Sequence, residues 1–300
     1  MTALNPAAAS RRFGLLLAML GAVAFSGKAI IVKLSYRYGV DAVDVILVRM
    51  LLALPMFMAL AWWAGRGREP LTRRDWLTLA GLGFSGYYLA SMLDFLGLHY
   101  ITASLERLIL YLNPTVVLLL GWLMFRRRPS RGQWLALIVS YAGVAAVFGH
   151  EVSLQGRDVL LGSALVLGSA TSYAVYLLFS GQVVGRIGAM RLTGLATSVA
   201  CVLSLLQFGL LRPLSSVLAY APEVWALGLL NAAVCTVAPV LLVMLGIERV
   251  GSAAAAQAGM VGPLSTVALG VWLLGEPFTA WVAAGTVLVL GGVWLLARVK

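Results

Sequence analysis

The sequence has few charged residues, two cysteines and two histidines. Charged side chains make up 11% of the 300 residues and hydrophobic ones 61%, whereas soluble domains have roughly 25% and about 45–50%. A soluble fold of this composition would expose a large apolar surface and aggregate. Cys201 and Cys235 are too few for a disulfide framework. These shortages exclude soluble enzymes, disordered chains and disulfide-stabilised secreted domains.

Motifs for metal or nucleotide chemistry are also missing. No His or Cys pair stands at metal-ligand spacing. The Gly-Lys-Ser/Thr sequence of a phosphate-binding loop is absent as well. We therefore expect no metal site, no cofactor and no step driven by ATP.

Long apolar runs dominate the sequence. A membrane helix needs about 20 mostly apolar residues, and ten runs with short connections meet this need. We therefore predict an all-α integral membrane protein with ten transmembrane helices. The predicted spans are 13–35, 42–63, 75–98, 102–125, 131–149, 158–180, 190–211, 223–246, 252–274 and 279–297.

The basic residues predict the orientation. With the N-terminus inside, fifteen Lys and Arg fall on the inner side, four fall outside, and Lys28, Arg49 and Arg107 lie within spans. Because cytoplasmic loops carry an excess of Lys and Arg, we expect a multi-pass protein of the inner (plasma) membrane with both termini cytoplasmic. This bias also explains the net charge of +11 without a nucleic-acid partner.

The two halves of the chain match at a constant offset. Pro114 aligns with Pro263 without a gap, and pairs of Trp, Gly and Leu keep the same spacing. Each half holds five spans, so the second copy is inverted in the membrane. Inverted repeats are typical of transporters that bind substrate near the midplane. We predict a first five-helix repeat at 1–149 and a second, inverted one at 150–300.

Several segments of both halves form recognisable motifs. They are Asp94–Ser104, Pro114 and Arg131–Trp134 in the first half, and Gly246–Ala253, Gly262-Pro263 and Leu274–Pro277 in the second. These residues resemble the EamA-type transporters of the drug/metabolite transporter superfamily over nearly the whole chain. The resemblance implies a helical bundle, monomeric or weakly dimeric, that exports small metabolites such as amino acids.

Five charged residues lie inside predicted spans and away from the span ends, where each costs at least about 2.5–3.5 kcal/mol. Four helices of the first half carry them, at similar heights in the outer half of the membrane. The second half has uncharged residues at the matching positions, so the fold itself does not require charge there. We predict that this charged layer binds substrate or gates its path. The layer consists of Lys28, Arg49, Asp94, Glu106 and Arg107.

Two interpretations of the charged layer stay open. In one, a salt-bridge network braces the first four spans or closes the outer gate, because buried charges usually pair. In the other, the net charge of +1 receives a substrate carboxylate, and an acidic residue receives its ammonium group. A zwitterionic amino acid fits this second interpretation. Coupling to protons through Glu106 or Asp94 is open as well.

Prolines and uncharged polar side chains within spans complete the candidate site. Pro114 and Pro263 occupy matching positions, and proline removes a backbone hydrogen bond, so we predict hinges there. Uncharged polar side chains in membranes often only bond across helices, but some are candidates for substrate contact or gating. These are Tyr87, Tyr111, Tyr173, Tyr176, Asn231 and Gln257.

The sequence therefore predicts a secondary transporter that exports small metabolites such as amino acids by alternating access. Its partners would be a small-molecule substrate and membrane lipid. Export of lipophilic or neutral compounds is the alternative. A remote alternative is an intramembrane serine protease built on Gly83-Phe84-Ser85-Gly86. In the predicted topology, His99 and His150 lie at membrane edges, out of hydrogen-bond reach of Ser85.

Overall fold

The computed structural model describes residues 6–126 and 129–298, and within these residues every regular element is a helix. Three π-helical segments (Phe84–Leu89, Ala233–Val237 and Gly270–Leu274) and a 3₁₀ helix (Leu214–Ala219) connect some of the α-helices. The α-helices are α1 (Pro6–Tyr36), α2 (Ala42–Gly65), α3 (Arg73–Gly83), α4 (Ala90–Leu98), α5 (Ala103–Leu110), α6 (Asn113–Phe125), α7 (Arg131–Gln155), α8 (Asp158–Ile187), α9 (Ala189–Leu211), α10 (Pro222–Ala232), α11 (Ala238–Val250), α12 (Ser252–Gly259), α13 (Val261–Leu269) and α14 (Ala280–Arg298).

Nine helical stretches among the described residues are long and apolar enough to cross a membrane. The predicted third span, 75–98, is not one of them. Its residues are helical throughout, from α3 through the π-helical segment to α4. Its middle carries Ser85, Tyr87 and Tyr88, which make it less apolar than the other spans. The fold is therefore all-α, and the predicted tenth crossing depends on this more polar stretch.

The predicted fourth and ninth spans are not continuous helices. α5 and α6 are separated at residues 111–112, and α12 and α13 are separated at Met260. α5 and α12 begin 149 residues apart and have the same length. The π-helical segments Phe84–Leu89 and Ala233–Val237 also begin 149 residues apart. The two halves of the chain thus interrupt their helices at matching positions.

Pro114 and Pro263 lie just after two of these breaks and not in the middle of long helices. Pro114 is in the first turn of α6, and Pro263 is the third residue of α13. First-turn residues have no partner for their N–H within the helix, so proline fits there without breaking a bond. These prolines therefore do not interrupt continuous helices, and the hinges stay a prediction. A hinge near them would lie at residues 111–112 and at Met260.

The helices of the two halves interlock. α1 packs on α11, α12 and α13, α2 packs on α9 and α10, and α4 packs on α8. The core between them includes Phe57, Phe95 and Phe208, which are almost fully buried. Helices of the first half are therefore held mainly by helices of the second.

The connections between helices collect at two ends of the bundle, which we name after one residue at each. At the Arg186 end, Asp75 in the first turn of α3 forms an ion pair with Arg186. At the Glu276 end, Arg212 forms an ion pair with Asp41. The Glu276 end holds the connections 37–41, 99–102, 212–221 and 275–279.

Candidate functional site

Lys28, Asp94 and Glu106 meet in the interior, closer to the Glu276 end. The Nζ atom of Lys28 lies 2.5 Å from Oδ2 of Asp94 and 3.4 Å from Oε1 of Glu106. These side chains come from α1, α4 and α5, and they are 7%, 2% and 1% exposed. The ammonium group of Lys28 therefore forms ion pairs with two buried carboxylates. The structure brings three of the five predicted charges into one ion-paired triad.

Arg49 and Arg107 stand outside this triad. Among the described residues, neither guanidinium has a carboxylate within 4.0 Å. Arg49 donates to the hydroxyl of Ser91 at 2.8 Å, and Nη2 of Arg107 lies 3.4 Å from Oγ of Ser26. Both side chains are buried, and in the described part of the chain the Nε of each has no hydrogen-bond partner. A salt-bridge network through all five charges is therefore not present.

Two phenylalanine rings lie between the three cations. Arg49 is 4.8 Å from the centroid of Phe95, and Lys28 is 6.0 Å from the same ring. Lys28 is also 5.3 Å from the centroid of Phe25, and Arg107 is 5.0 Å from that ring. A ring face attracts a cation through its quadrupole. The layer thus runs from Arg49 through Lys28 to Arg107, with a ring beside each pair of like charges.

Sequence reasoning missed both rings. Phe95 directly follows Asp94, and Phe25 precedes Lys28 by three residues, which places it on the same helix face. An aromatic residue one helical turn from a buried charge is the pattern that could have identified Phe25. Phe95 is adjacent to Asp94 in the chain and has no such signal.

Tyr111 and Ser26 connect the charged layer to the break between α12 and α13. Tyr111 donates to the carbonyl of Gly259 at 2.7 Å, and Ser26 donates to that of Gly262 at 2.7 Å. The last carbonyls of a helix have no partner inside it, and Tyr111 of the first half satisfies one of these at the end of α12. Ser26 adds a bond to a carbonyl in the first turn of α13. The guanidinium of Arg107 lies 5.6 Å from the Tyr111 ring. Arg107 and Tyr111 therefore share the face that their spacing predicts.

The other predicted residues lie in three other places. Tyr87, Tyr173 and Tyr176 form an aromatic cluster, in which the hydroxyls of Tyr87 and Tyr176 are 3.2 Å apart. Asn231 is fully buried in α10, and its side-chain oxygen and nitrogen have no partner among the described residues. Gln257 is exposed on an apolar groove at the side of the bundle.

The residues considered for a protease are occupied elsewhere. The hydroxyl of Ser85 donates to the carbonyl of Gly81 at 3.0 Å. The ring of His150 stacks on Trp281 at 5.9 Å, and His99 packs between two tyrosines. Within residues 6–126 and 129–298, no three His, Cys, Asp or Glu side chains converge as ligands for a metal ion.

Glu276, which was not among the predicted site residues, holds the start of α5. Its carboxylate accepts from the backbone N–H of Ala103 at 2.6 Å, and from the N–H and hydroxyl of Ser104 at 3.2 and 2.9 Å. A negative charge at a helix N-terminus satisfies free N–H groups and is favoured by the helix dipole. The first turn of α5 also carries Glu106. The second half of the chain is therefore bonded directly to the turn that supplies part of the triad.

Both halves of the chain match the model of the EamA-like transporter family, over residues 12–149 and 160–298. The chain belongs to the EamA-like transporter family. Its relatives are named as transporters, and this EamA-like protein is therefore a multi-pass membrane transporter of the drug/metabolite type.

Two curated relatives and one solved structure illustrate the likeness. The uncharacterized transporter YcbK of Bacillus subtilis is 32% identical over 275 residues, which are 88% of this chain and 86% of YcbK. An uncharacterized transporter of Archaeoglobus fulgidus is 24% identical over 281 residues, 93% of this chain and 96% of that protein. One crystal structure superposes with a TM-score of 0.64 over 96% of this chain and 99% of that chain. Its sequence identity is 16%, so this likeness shows the fold alone.

Proposed function

We propose that this EamA-like transporter exports small metabolites that carry a carboxylate, such as amino acids, by alternating access. The observation that carries the proposal is the lack of ion-pair partners for Arg49 and Arg107 among the described residues. Both are buried, and among the described residues neither has a carboxylate partner within 4.0 Å.

A buried cation without a counter-charge is costly, and such groups are normally paired. Each guanidinium keeps an unpartnered Nε–H within the described part of the chain. Arginine presents its N–H groups as a fork that matches the two oxygens of a carboxylate. A substrate carboxylate would supply the missing charge and the missing acceptor together.

The triad offers a place for the opposite end of a zwitterion. Lys28 brings one positive charge to the two carboxylates of Asp94 and Glu106, so the triad has a net charge of −1 when all three groups are ionised. A substrate ammonium group would neutralise that excess. Proton coupling belongs to the same proposal, because a proton on Glu106 or Asp94 would replace the ammonium group once substrate leaves.

Alternating access requires that one side of the membrane is closed while the site holds substrate. The basic residues of the connections support a protein of the inner (plasma) membrane with both termini in the cytoplasm. In this topology the Glu276 end faces outward. There Glu276 bonds the start of α5, and Glu151 accepts from the hydroxyl of Thr102 just before it. We infer that these contacts close the outer side over the charged layer and break when it opens.

Replacing Glu276 with glutamine is expected to favour opening on the outer side. Hydrogen bonds to a charged group contribute about 1.5–3 kcal/mol, and losing part of this shifts an equilibrium by about tenfold. Native Cys235 can report the change, because it is buried and its Sγ lies against Gly27, beside Lys28. We expect a membrane-impermeant maleimide to label Cys235 about tenfold faster in Glu276→Gln than in the parent, both carrying Cys201→Ser.

Glu223→Gln is the matched control, because Glu223 is an exposed acid in the first turn of α10 at the same end. Its labelling rate should equal that of the parent. Equal rates in Glu276→Gln and Glu223→Gln would show that Glu276 does not hold the outer side closed.

Counterflow in liposomes tests the proposed cargo. Vesicles containing the purified protein are loaded with one of the twenty standard amino acids at a time, and uptake of the same radiolabelled compound is measured. We expect exchange of at least one amino acid, and at least tenfold less inhibition by its decarboxylated amine or methyl ester than by the amino acid itself. An imposed proton gradient across the same vesicles tests coupling. Absence of any amino acid exchange, or equal inhibition by the amine, would contradict the proposal.

A second candidate, export of lipophilic or neutral compounds, is favoured by one observation. A groove of about 570 Å³ opens at the side of the bundle, between α1, the α12–α13 break and α14. Its walls are mostly apolar and include Met19, Leu264 and Trp294, with Gln257 as a polar contact. A lipophilic cargo could enter there from the membrane. In that case the counterflow assay would show no exchange of amino acids.

A further inference from the structure

The guanidinium of Arg107 rests against Gly262, the second residue after the break at Met260. A Cβ atom built on Gly262 would lie 2.7 Å from Nη2 of Arg107, closer than real Cβ contacts occur. The same Cβ would lie 3.6 Å from the hydroxyls of Ser26 and Tyr111, which is ordinary contact. Because residue 262 has no side chain, the Arg107 guanidinium can occupy the space that a Cβ atom would fill.

Hydrogen bonds fix the surroundings of this contact on both sides. Ser26 donates to the carbonyl of Gly262 and is within 3.4 Å of Arg107. Tyr111 donates to the carbonyl of Gly259, one turn earlier. The Phe25 ring covers the guanidinium at 5.0 Å. The break between α12 and α13 thus forms one side of the binding pocket of the Arg107 guanidinium.

We propose that Gly262 positions Arg107 and thereby sets how well this transporter accepts the carboxylate of its cargo. The inference rests on the proposed function. A methyl group at residue 262 would displace the guanidinium from its contact with residue 262 and into the charged layer. The far end of an arginine moves easily, so relieving this contact costs little, whereas the new Cβ atom also crowds the ring of Pro263. The displacement alters the distance between the guanidinium and a bound carboxylate.

The second half of the chain then has a defined part in recognition although it supplies none of the five charges. Gly262 leaves space for the Arg107 guanidinium because it has no side chain. The carbonyls of Gly262 and Gly259 accept hydrogen bonds from Ser26 and Tyr111. The matching residue of the first half is Asn113, so the two breaks are not equivalent in this respect. The break between α12 and α13 leaves room for the Arg107 guanidinium.

The test compares Gly262→Ala with Gly121→Ala in counterflow of the amino acid that the wild-type protein exchanges fastest. Weakening one hydrogen bond between a charged donor and the cargo carboxylate is enough to raise KM about tenfold, and we expect that change for Gly262→Ala. The maximal rate should stay within twofold. Gly121 is a buried helical glycine of α6 with open space around its Cβ position, so Gly121→Ala should change neither value.

A second comparison separates positioning from a general effect on the fold. In an Arg107→Lys background the shorter side chain no longer reaches residue 262, so adding Gly262→Ala should change KM less than twofold. The inference is overturned if Gly262→Ala behaves like Gly121→Ala, or if its tenfold effect persists beside Lys at residue 107. Should Arg107→Lys support no exchange, the first comparison alone decides. If amino acids are not exchanged by the wild-type protein, the proposed function fails instead.

Discussion

Replacing Arg107 with alanine is expected to weaken exchange of carboxylate-bearing cargo strongly and to leave the cargo-free protein folded. Removing one partner of a buried, hydrogen-bonded charge pair costs about 2–5 kcal/mol in binding. The lower figure corresponds to a loss of affinity of about thirtyfold. We expect at least that loss in counterflow for Arg107→Ala, and a similar loss for Arg49→Ala, because both guanidinium groups are buried without an ion-pair partner among the described residues.

The stability of the same variant without cargo should change little. In the cargo-free protein Arg107 forms no ion pair with the described residues, so its removal leaves no carboxylate unpaired. The lost contacts with Phe25 and Tyr111 destabilise, whereas the removal of a buried charge stabilises. We expect the two to offset to within about 1 kcal/mol, measured as thermal unfolding in detergent without cargo.

Arg249→Ala is the matched control for Arg107→Ala. Arg249 also lies over an aromatic ring, that of Phe13 at 5.5 Å, and it donates to the carbonyl of Leu245. It is exposed and lies outside the charged layer. Its variant should keep wild-type exchange. If Arg107→Ala exchanged amino acids as well as Arg249→Ala does, Arg107 would not bind the cargo carboxylate.

The sequence predicted the charged layer but not the pairing within it. The depth of each charge follows from its distance to the end of its helix, so the meeting of Lys28, Asp94 and Glu106 could be anticipated. Which cation pairs with which acid depends on side-chain directions and on the rings between them. Those details separate Arg49 and Arg107 from the acids, and no periodicity in the sequence encodes them.

The helix breaks show the same limit. Hydropathy gives the total length of an apolar stretch, so spans 102–125 and 252–274 were predicted as single helices. The structure interrupts them at residues 111–112 and at Met260. A break within an apolar stretch leaves hydropathy unchanged, and it persists because tertiary partners such as Tyr111 satisfy the freed carbonyls. Glu276 was missed for a related reason, since its partners lie more than 170 residues away along the chain.

Replacing Lys28 with methionine is expected to have the opposite pattern to Arg107→Ala, with a large loss of stability in the cargo-free protein. The substitution leaves Asp94 and Glu106 buried, at 2% and 1% exposure, without the ammonium group that lies within 4.0 Å of both. Breaking a buried ion pair by removing one partner costs about 3–5 kcal/mol. We expect Lys28→Met to unfold at a clearly lower temperature in detergent, or to be recovered from membranes in much smaller amounts.

The double variant Lys28→Met/Asp94→Asn shows whether charge is the cause. It removes one cation and one anion together, so the net charge of the triad returns to its wild-type value of −1, and most of the lost stability should return. Lys33→Met is the matched control, because Lys33 lies farther along α1, is half-buried and forms no ion pair with the described residues. If Lys28→Met were as stable as Lys33→Met, the triad would not brace the helices. A destabilised Lys28→Met with a stable but weakly exchanging Arg107→Ala would divide the layer into a structural triad and two arginines kept for cargo.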